Sequence, residues 1–176
     1  ALLMSSRNIH EGITWTNSLK GKGADVPALV EKGKSQFVGP EIQGKTLGVI
    51  GLGAIGVLVA NAASALGMKV MGYDPFVSVD AAWKLSHNVS KCTSLDTLIA
   101  ECDYITIHVP VNKDTKNLFN EERIGRMKKG ARLLNFSRNG LVDNAAIKAA
   151  IASGHIAGYV IDLPEDELLG VDKPRD

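Results

Sequence analysis

The sequence predicts an α/β fold, a doubly wound parallel sheet with helices on both faces, and three observations predict it. Short apolar runs alternate with helical patterns from Gly44 to Ile161, as βαβ units do. A glycine-rich turn, Gly51-Leu52-Gly53-Ala54-Ile55-Gly56, joins the first run to the first helix of that series. The chain of 176 residues carries 18 glycines, spread along it instead of gathered in one tract, so each marks a turn.

Taken in order, Leu2-Leu3-Met4 through Ile9 to Trp15 reads as one helix with an apolar stripe. From Asn17 to Glu41 the pattern breaks at Gly21, Gly23, Pro27, Gly33 and Gly39-Pro40, which predicts a loop or linker with solvated lysines. Thr46–Gly51 is a buried strand, residues 54–66 a small-residue helix, and Lys69–Tyr73 a second strand. Trp83 and Leu85 belong to a short helical connection, and residues 89–92 to a weaker strand. Ser94 offers an N-cap for the helix at 95–100, with Asp96 near its positive end. Tyr104–Val109 is β-branched and aromatic, hence a strand. Asn120 caps a helix expected to end at Lys128-Lys129-Gly130. Ala131–Asn135, the alanine-rich helix at 144–153 and the strand Ile156–Ile161 complete the alternation.

Composition narrows the function. The 20 Lys+Arg against 19 Asp+Glu leave a net charge of +1, which gives no basic field for nucleic acid. Hydrophobic residues are 45 % and aromatics only 5 %, which suits an aliphatic core and not a base-stacking surface. No apolar run is long enough to span a membrane, and no secretory leader opens the chain, so a cytoplasmic location is expected. Cys92 and Cys102 are too few for a disulfide framework or a four-ligand zinc site; no metal site is expected.

The Gly-x-Gly-x-x-Gly turn ends a strand, opens a helix and is followed by an acid at the end of the next strand, the Rossmann arrangement. Gly51 makes the tight turn, Gly53 lets the backbone approach a pyrophosphate, and Gly56 lets helix and strand pack closely. The N–H groups of Ala54 and Ile55 then face the phosphates at the helix N-terminus. Asp74, 23 residues after Gly51, suits the ribose hydroxyls and repels a 2′-phosphate, which predicts NAD over NADP. His108-Val109-Pro110 closes a strand at the carboxyl edge and forms a wall of the cofactor cleft. None of His10, His87, His108 and His155 has a carboxylate at a telling spacing, so none is assigned the acid/base role. Arg138, in the turn after the strand at 131–135, is expected beside the nicotinamide as a cofactor contact, placed there to hold a substrate carboxylate in a fork and polarise an adjacent carbonyl. Asp162 ends the last strand within reach of a nicotinamide carboxamide. By charge pattern alone, Glu165, Asp166 and Glu167 are solvated loop.

Four segments in order, Gly44-Lys45-Thr46-Leu47-Gly48-Val49-Ile50-Gly51-Leu52-Gly53, His108-Val109-Pro110, Ser137-Arg138-Asn139-Gly140-Leu141-Val142-Asp143 and Ser153-Gly154-His155-Ile156-Ala157-Gly158, carry a resemblance. They resemble the NAD-binding domain of the D-isomer-specific 2-hydroxyacid dehydrogenases. Arg7-Asn8-Ile9 and Asp162-Leu163-Pro164 are most similar to members acting on 3-phosphoglycerate. The resemblance implies hydride transfer between NAD and a small 2-hydroxy or 2-oxo acid. It implies that Arg138 binds substrate and that Glu167 orients a catalytic histidine. Ala54, Ile55, Asp74, Phe136, Ser137 and Asp162 match cofactor contacts. Ala54 stands where relatives carry a basic or polar residue, Asn139 replaces a second glycine, and Leu168 replaces a proline. The catalytic histidine and the substrate domain are expected outside this chain. The implied organisation is an interdomain and dimer helix at 1–16, a linker at 17–43 and the NAD-binding domain at 44–176, assembled as a homodimer. D-Lactate or glyoxylate is an alternative substrate, and an NAD-sensing co-repressor-like role is the alternative of another class.

Overall fold

The computed structural model describes residues 1–165 and 168, and along them the single amino-terminal helix expected from the sequence is two. Helices α1 (Leu2–Arg7) and α2 (Ile9–Ser18) are separated by Asn8, whose φ of 48° is left-handed. Asparagine is one of the few residues that enters this region at low cost, and its carbonyl still accepts the Gly12 N–H that starts α2. The segment expected as loop contains helix α3 (Val26–Gly33), flanked by 3₁₀ turns at Gly23–Asp25 and Lys34–Phe37. In the sequence Pro27 reads as a breaker. It stands in the first turn of α3, where its missing N–H removes no helical bond and its φ is already helical. Trp15 and Phe37 pack with ring centroids 5.2 Å apart. The Trp15 ring fills the space a side chain at Gly33 would need. These elements form a first unit, Ala1–Ile42.

The second unit begins at Gln43 and holds a six-stranded, all-parallel sheet. Its strands are β1 (Thr46–Ile50), β2 (Lys69–Tyr73), β3 (Val89–Lys91), β4 (Tyr104–Ile107), β5 (Ala131–Asn135) and β6 (Ile156–Ile161), in the order β3-β2-β1-β4-β5-β6. The doubly wound fold is therefore as expected. Between the strands run α4 (Ala54–Ala65), α5 (Val79–Trp83), α6 (Leu95–Glu101), α7 (Glu121–Arg126) and α8 (Asn144–Ala152). Side-chain oxygens of Ser78, Ser94, Asn120 and Asp143 each accept a backbone N–H from the first turn of the helix that follows. Helix α7 stops earlier than the basic run suggested. Met127 turns extended and goes into the core, which leaves Lys128 free to reach across the sheet edge.

Side chains alternate between the two faces. Gly48 lies against Leu98 and Cys102, so α6 packs directly on β1, while Val49 faces α4. Leu98, Ile99, Ile105, Ile107, Leu133 and Ile147 are completely buried in the layer shared by β4, β5 and the helices α6 to α8. Cys92 and Cys102 are free and buried, and burial pushes the Cys102 thiol up to about 12, which keeps it unreactive. Among the described residues no helix is long and apolar enough to cross a membrane.

The amino edge of the sheet is clamped by Asp103. Its carboxylate accepts the Thr46 N–H (2.9 Å) and the Lys128 ammonium (2.6 Å), tying β1, β4 and the turn before β5 together. Burial works to raise the Asp103 pKa, but the bonds from Lys128 and Thr46 outweigh it and hold the carboxyl below its ordinary value. The contribution to stability is therefore complete above the unfolded pKa and is lost as pH falls through the lower folded one. Asp103→Asn is expected to cost about 1 kcal/mol near neutral pH, because the partly exposed ion pair is screened. The difference from the parent, measured by urea midpoints, should shrink toward zero as pH falls through the lowered folded-state pKa of Asp103.

Candidate functional site

The chain reverses direction at β1. From β1 it winds outward through β2 to β3, then crosses to β4 on the other side and continues to β6. The carboxyl ends of β1 and β4 therefore lead to connections on opposite sides, and a crevice opens between them where ligands bind in such sheets. Every site residue predicted from the sequence that falls among the described residues lies at this carboxyl edge. Gly51 follows β1, Asp74 follows β2, His108-Val109-Pro110 follows β4, Phe136-Ser137-Arg138 follows β5, and Asp162 follows β6. Glu167 lies outside the described residues.

The glycine turn is built by three different constraints. Gly51 has a φ of +90°, and a Cβ there would sit 2.8 Å from the His108 carbonyl oxygen. At Gly56 a Cβ would meet the Gly51 carbonyl oxygen at 1.9 Å, so only glycine lets α4 start against the end of β1. Around Gly53 nothing lies within 4 Å of a Cβ position; its side of the turn is open. Gly53 is the N-cap of α4 and supplies no side chain to the first turn. The N–H groups of Ala54 and Ile55 thus begin the helix beside open space, a fixed positive end suited to a pyrophosphate.

Asp74 does more than the spacing indicated. One carboxylate oxygen accepts the Leu52 N–H from within the glycine turn, and the other accepts the Phe76 N–H, both at 2.8 Å. The acid that would receive a ribose thus also braces the phosphate turn. Each oxygen keeps a lone pair for a hydroxyl. Asp74→Asn loses one of the two acceptors and the negative charge. It is expected to weaken NADH binding roughly 10- to 100-fold and to narrow the preference over NADPH, as read by fluorescence titration with both nucleotides.

On the other side of the crevice the loops after β4 and β5 are cross-linked. Ser137 Oγ donates to the Val109 carbonyl (2.7 Å), and the N–H groups of Asn117 and Phe119 donate to Gly140 and Leu141 (2.8 and 3.0 Å). A parallel bridge pairs Phe119 with Val142. His108 is half-buried with Nε2 3.0 Å from Thr106 Oγ1, and burial lowers its pKa, so its ring is a neutral part of the wall. His155 contacts the carbonyl of Ile124, in α7, at 3.1 Å. Arg138 is exposed, with Nη1 donating to the Ser137 carbonyl (2.8 Å). Together with Pro110, Val111, Asn139 and Leu163 it lines an open cavity of about 420 Å³. Phe136 is 43 % exposed on the same turn, and Asp162 is exposed beside Leu163.

The sequence reading missed Asn135, the last residue of β5, which is buried yet polar and bonds to three partners. Its signal was a lone amide closing an apolar strand. Val111 and Leu163 also line the cavity and had no assigned role.

A glycine turn shaped for a pyrophosphate, an acid at the end of β2 and a crevice at the reversal point define a dinucleotide-binding domain. Residues 1–175 match the model of the D-isomer specific 2-hydroxyacid dehydrogenase NAD binding domain, and the chain belongs to that family. It is 43 % identical over 145 residues to D-3-phosphoglycerate dehydrogenase of Synechocystis sp., covering 81 % of this chain and 25 % of that protein. It is 41 % identical over 140 residues to glyoxylate reductase of Thermofilum pendens, covering 78 % of this chain and 40 % of that one. D-lactate dehydrogenase from Aquifex aeolicus, solved with NAD and lactic acid, superposes with a TM-score of 0.76 at 35 % identity. That match covers 94 % of this chain and 45 % of the solved one. The chain thus spans less than half the length of each of these relatives.

Proposed function

We propose that this domain is the cofactor half of an oxidoreductase that interconverts a D-2-hydroxy acid and its 2-oxo acid, with 3-phosphoglycerate as the substrate. The observation that carries the reading is Arg138, held on a cross-linked turn at the carboxyl edge and lining an open cavity with Pro110. When bound, NAD supplies the acceptor for the hydride that leaves C2. Ala54 and Ile55 N–H groups hold the pyrophosphate, Asp74 the adenosine ribose, and Phe136, Ser137 and Asp162 the nicotinamide half. The Arg138 guanidinium grips the substrate carboxylate with two parallel N–H···O bonds and polarises the C2 oxygen as its proton leaves. Glu167 is assigned to orient the histidine that takes that proton. Support for 3-phosphoglycerate comes from the similarity to D-3-phosphoglycerate dehydrogenases of Synechocystis sp. and Bacillus subtilis, the latter at 42 % identity. Exposed Leu3, Met4, Ile9 and Ile13 on α1 and α2 favour assembly with a second copy.

A substrate panel on the full-length protein tests the assignment. With NADH, 3-phosphohydroxypyruvate is expected to give a kcat/KM at least about 10-fold above pyruvate and glyoxylate. A reversed order would remove 3-phosphoglycerate and leave the class intact. No turnover of any 2-oxo acid would remove the class.

A further inference from the structure

We infer that Asn135, with Tyr159 behind it, is the positioning residue that sets the Arg138 turn, an inference that rests on Arg138 being the substrate ligand. Asn135 is only 3 % exposed at the end of β5, where Leu133 and Leu134 before it are apolar. Its amide nitrogen donates to the Arg138 carbonyl (2.9 Å) and to the Tyr159 hydroxyl (3.3 Å), and its Oδ1 accepts the Ser137 N–H (3.1 Å). Both donors and one acceptor are thus in use, two of the three on the backbone that carries the guanidinium. The orientation is unambiguous, because a flipped amide would set its oxygen against the Arg138 carbonyl.

Tyr159 enters through sheet register. It pairs with Leu133 across β5 and β6, so its side chain lies on the same face as that of Asn135, one pleat back. Its hydroxyl is the second acceptor that keeps the Asn135 amide from rotating. Burial raises the Tyr159 pKa, opposed by the bond from Asn135, so the group stays a neutral hydroxyl. Ser137 is held a second time, by its own bond to Val109. The backbone on both sides of the Ser137–Arg138 peptide is therefore fixed from β4, β5 and β6 together. An arginine head lies far from its Cα, so a small tilt of this turn displaces the guanidinium by an ångström or more. Displacements of that size cost about 100-fold in rate when a substrate-positioning group is involved.

Three variants of the full-length protein test this, alongside the parent. Asn135→Ala is expected to lower kcat/KM for the 2-oxo acid roughly 100-fold while the NADH Kd moves less than about 3-fold. Tyr159→Phe keeps the ring and is expected to lose roughly 5-fold in the same parameter, with its Tm nearly unchanged. Asn135→Asp cannot donate when ionised but can when protonated, so its activity relative to the parent should rise as pH falls. A purely structural defect would give neither the split between substrate and cofactor nor that pH profile. The inference is overturned if folded Asn135→Ala keeps kcat/KM within about 3-fold, or if NADH affinity falls in parallel. If Arg138→Ala turns over 2-oxo acids as the parent does, the reading of Arg138 has failed by itself. Amide exchange at residues 137–140 of Asn135→Ala then decides the positioning role: roughly 10-fold faster exchange supports it, and unchanged exchange overturns it.

Discussion

Arg138→Ala is expected to lower kcat/KM for the 2-oxo acid by about 1,000-fold in the full-length protein, with the NADH Kd changed less than about 3-fold. Two charge-assisted hydrogen bonds to a carboxylate are lost, at roughly 1.5–3 kcal/mol each, together with the polarisation of the C2 oxygen. Summed conservatively, that is about 4 kcal/mol of transition-state stabilisation, or close to three orders of magnitude. The side chain is exposed and its own bond is to the Ser137 carbonyl, so its removal leaves the core untouched and should not unfold the domain. Arg138→Lys restores the charge without the planar fork and is expected to recover only part of the loss, about 10-fold. Steady-state kinetics of the two variants, with cofactor and substrate varied separately, give the result. A loss under about 10-fold for Arg138→Ala would place the carboxylate elsewhere.

The second large effect belongs to the glycine turn. Gly56→Ala drives a methyl group to 1.9 Å from the Gly51 carbonyl oxygen, a backbone atom that cannot rotate away. Helix α4 must retreat from the end of β1, and the two elements that make the phosphate turn separate. The clash is expected to cost about 3 kcal/mol, against about 1 kcal/mol gained from the better helix propensity of alanine. A net loss near 2 kcal/mol in urea unfolding should therefore accompany abolished NADH binding. Gly53→Ala is the contrast. Its methyl meets nothing within 4 Å in the protein. Stability should stay within about 0.5 kcal/mol while NADH affinity drops, because the space taken is the ligand's.

What could be read from the sequence was local or periodic. The strands at 69–73, 131–135 and 156–161 match the prediction because each is a short apolar run closed by a turn residue. The glycine turn and Asp74 were legible because their roles depend on spacing along one βαβ unit. What escaped depends on partners distant in sequence. Asp103 meets Thr46 across 57 residues, and Asn135 meets Tyr159 across 24. A polar residue at a strand end looks the same whether solvent or another strand satisfies it. Helix α3 escapes for a local reason: Pro27 and Gly33, which read as interruptions in the sequence, bracket it as start and stop. Asn8 is the converse, a residue whose left-handed conformation divides one apolar pattern into two helices. Glu167 was assigned from resemblance alone and falls outside the described residues.

The cross-links between the loops after β4 and β5 make the two sides of the crevice mechanically unlike. One flank is a single stitched body, with Val109 bonded to Ser137 and Phe119 bridged to Val142. The β2 flank is braced separately, through the carboxylate of Asp74 on Leu52 and Phe76. With Asp74 and Arg138 in their proposed roles, nucleotide preference and acid recognition are thereby modular. An engineer can rewrite the end of β2 to accept a different dinucleotide without disturbing the arginine. Lengthening either stitched loop, by contrast, would have to be matched in the other.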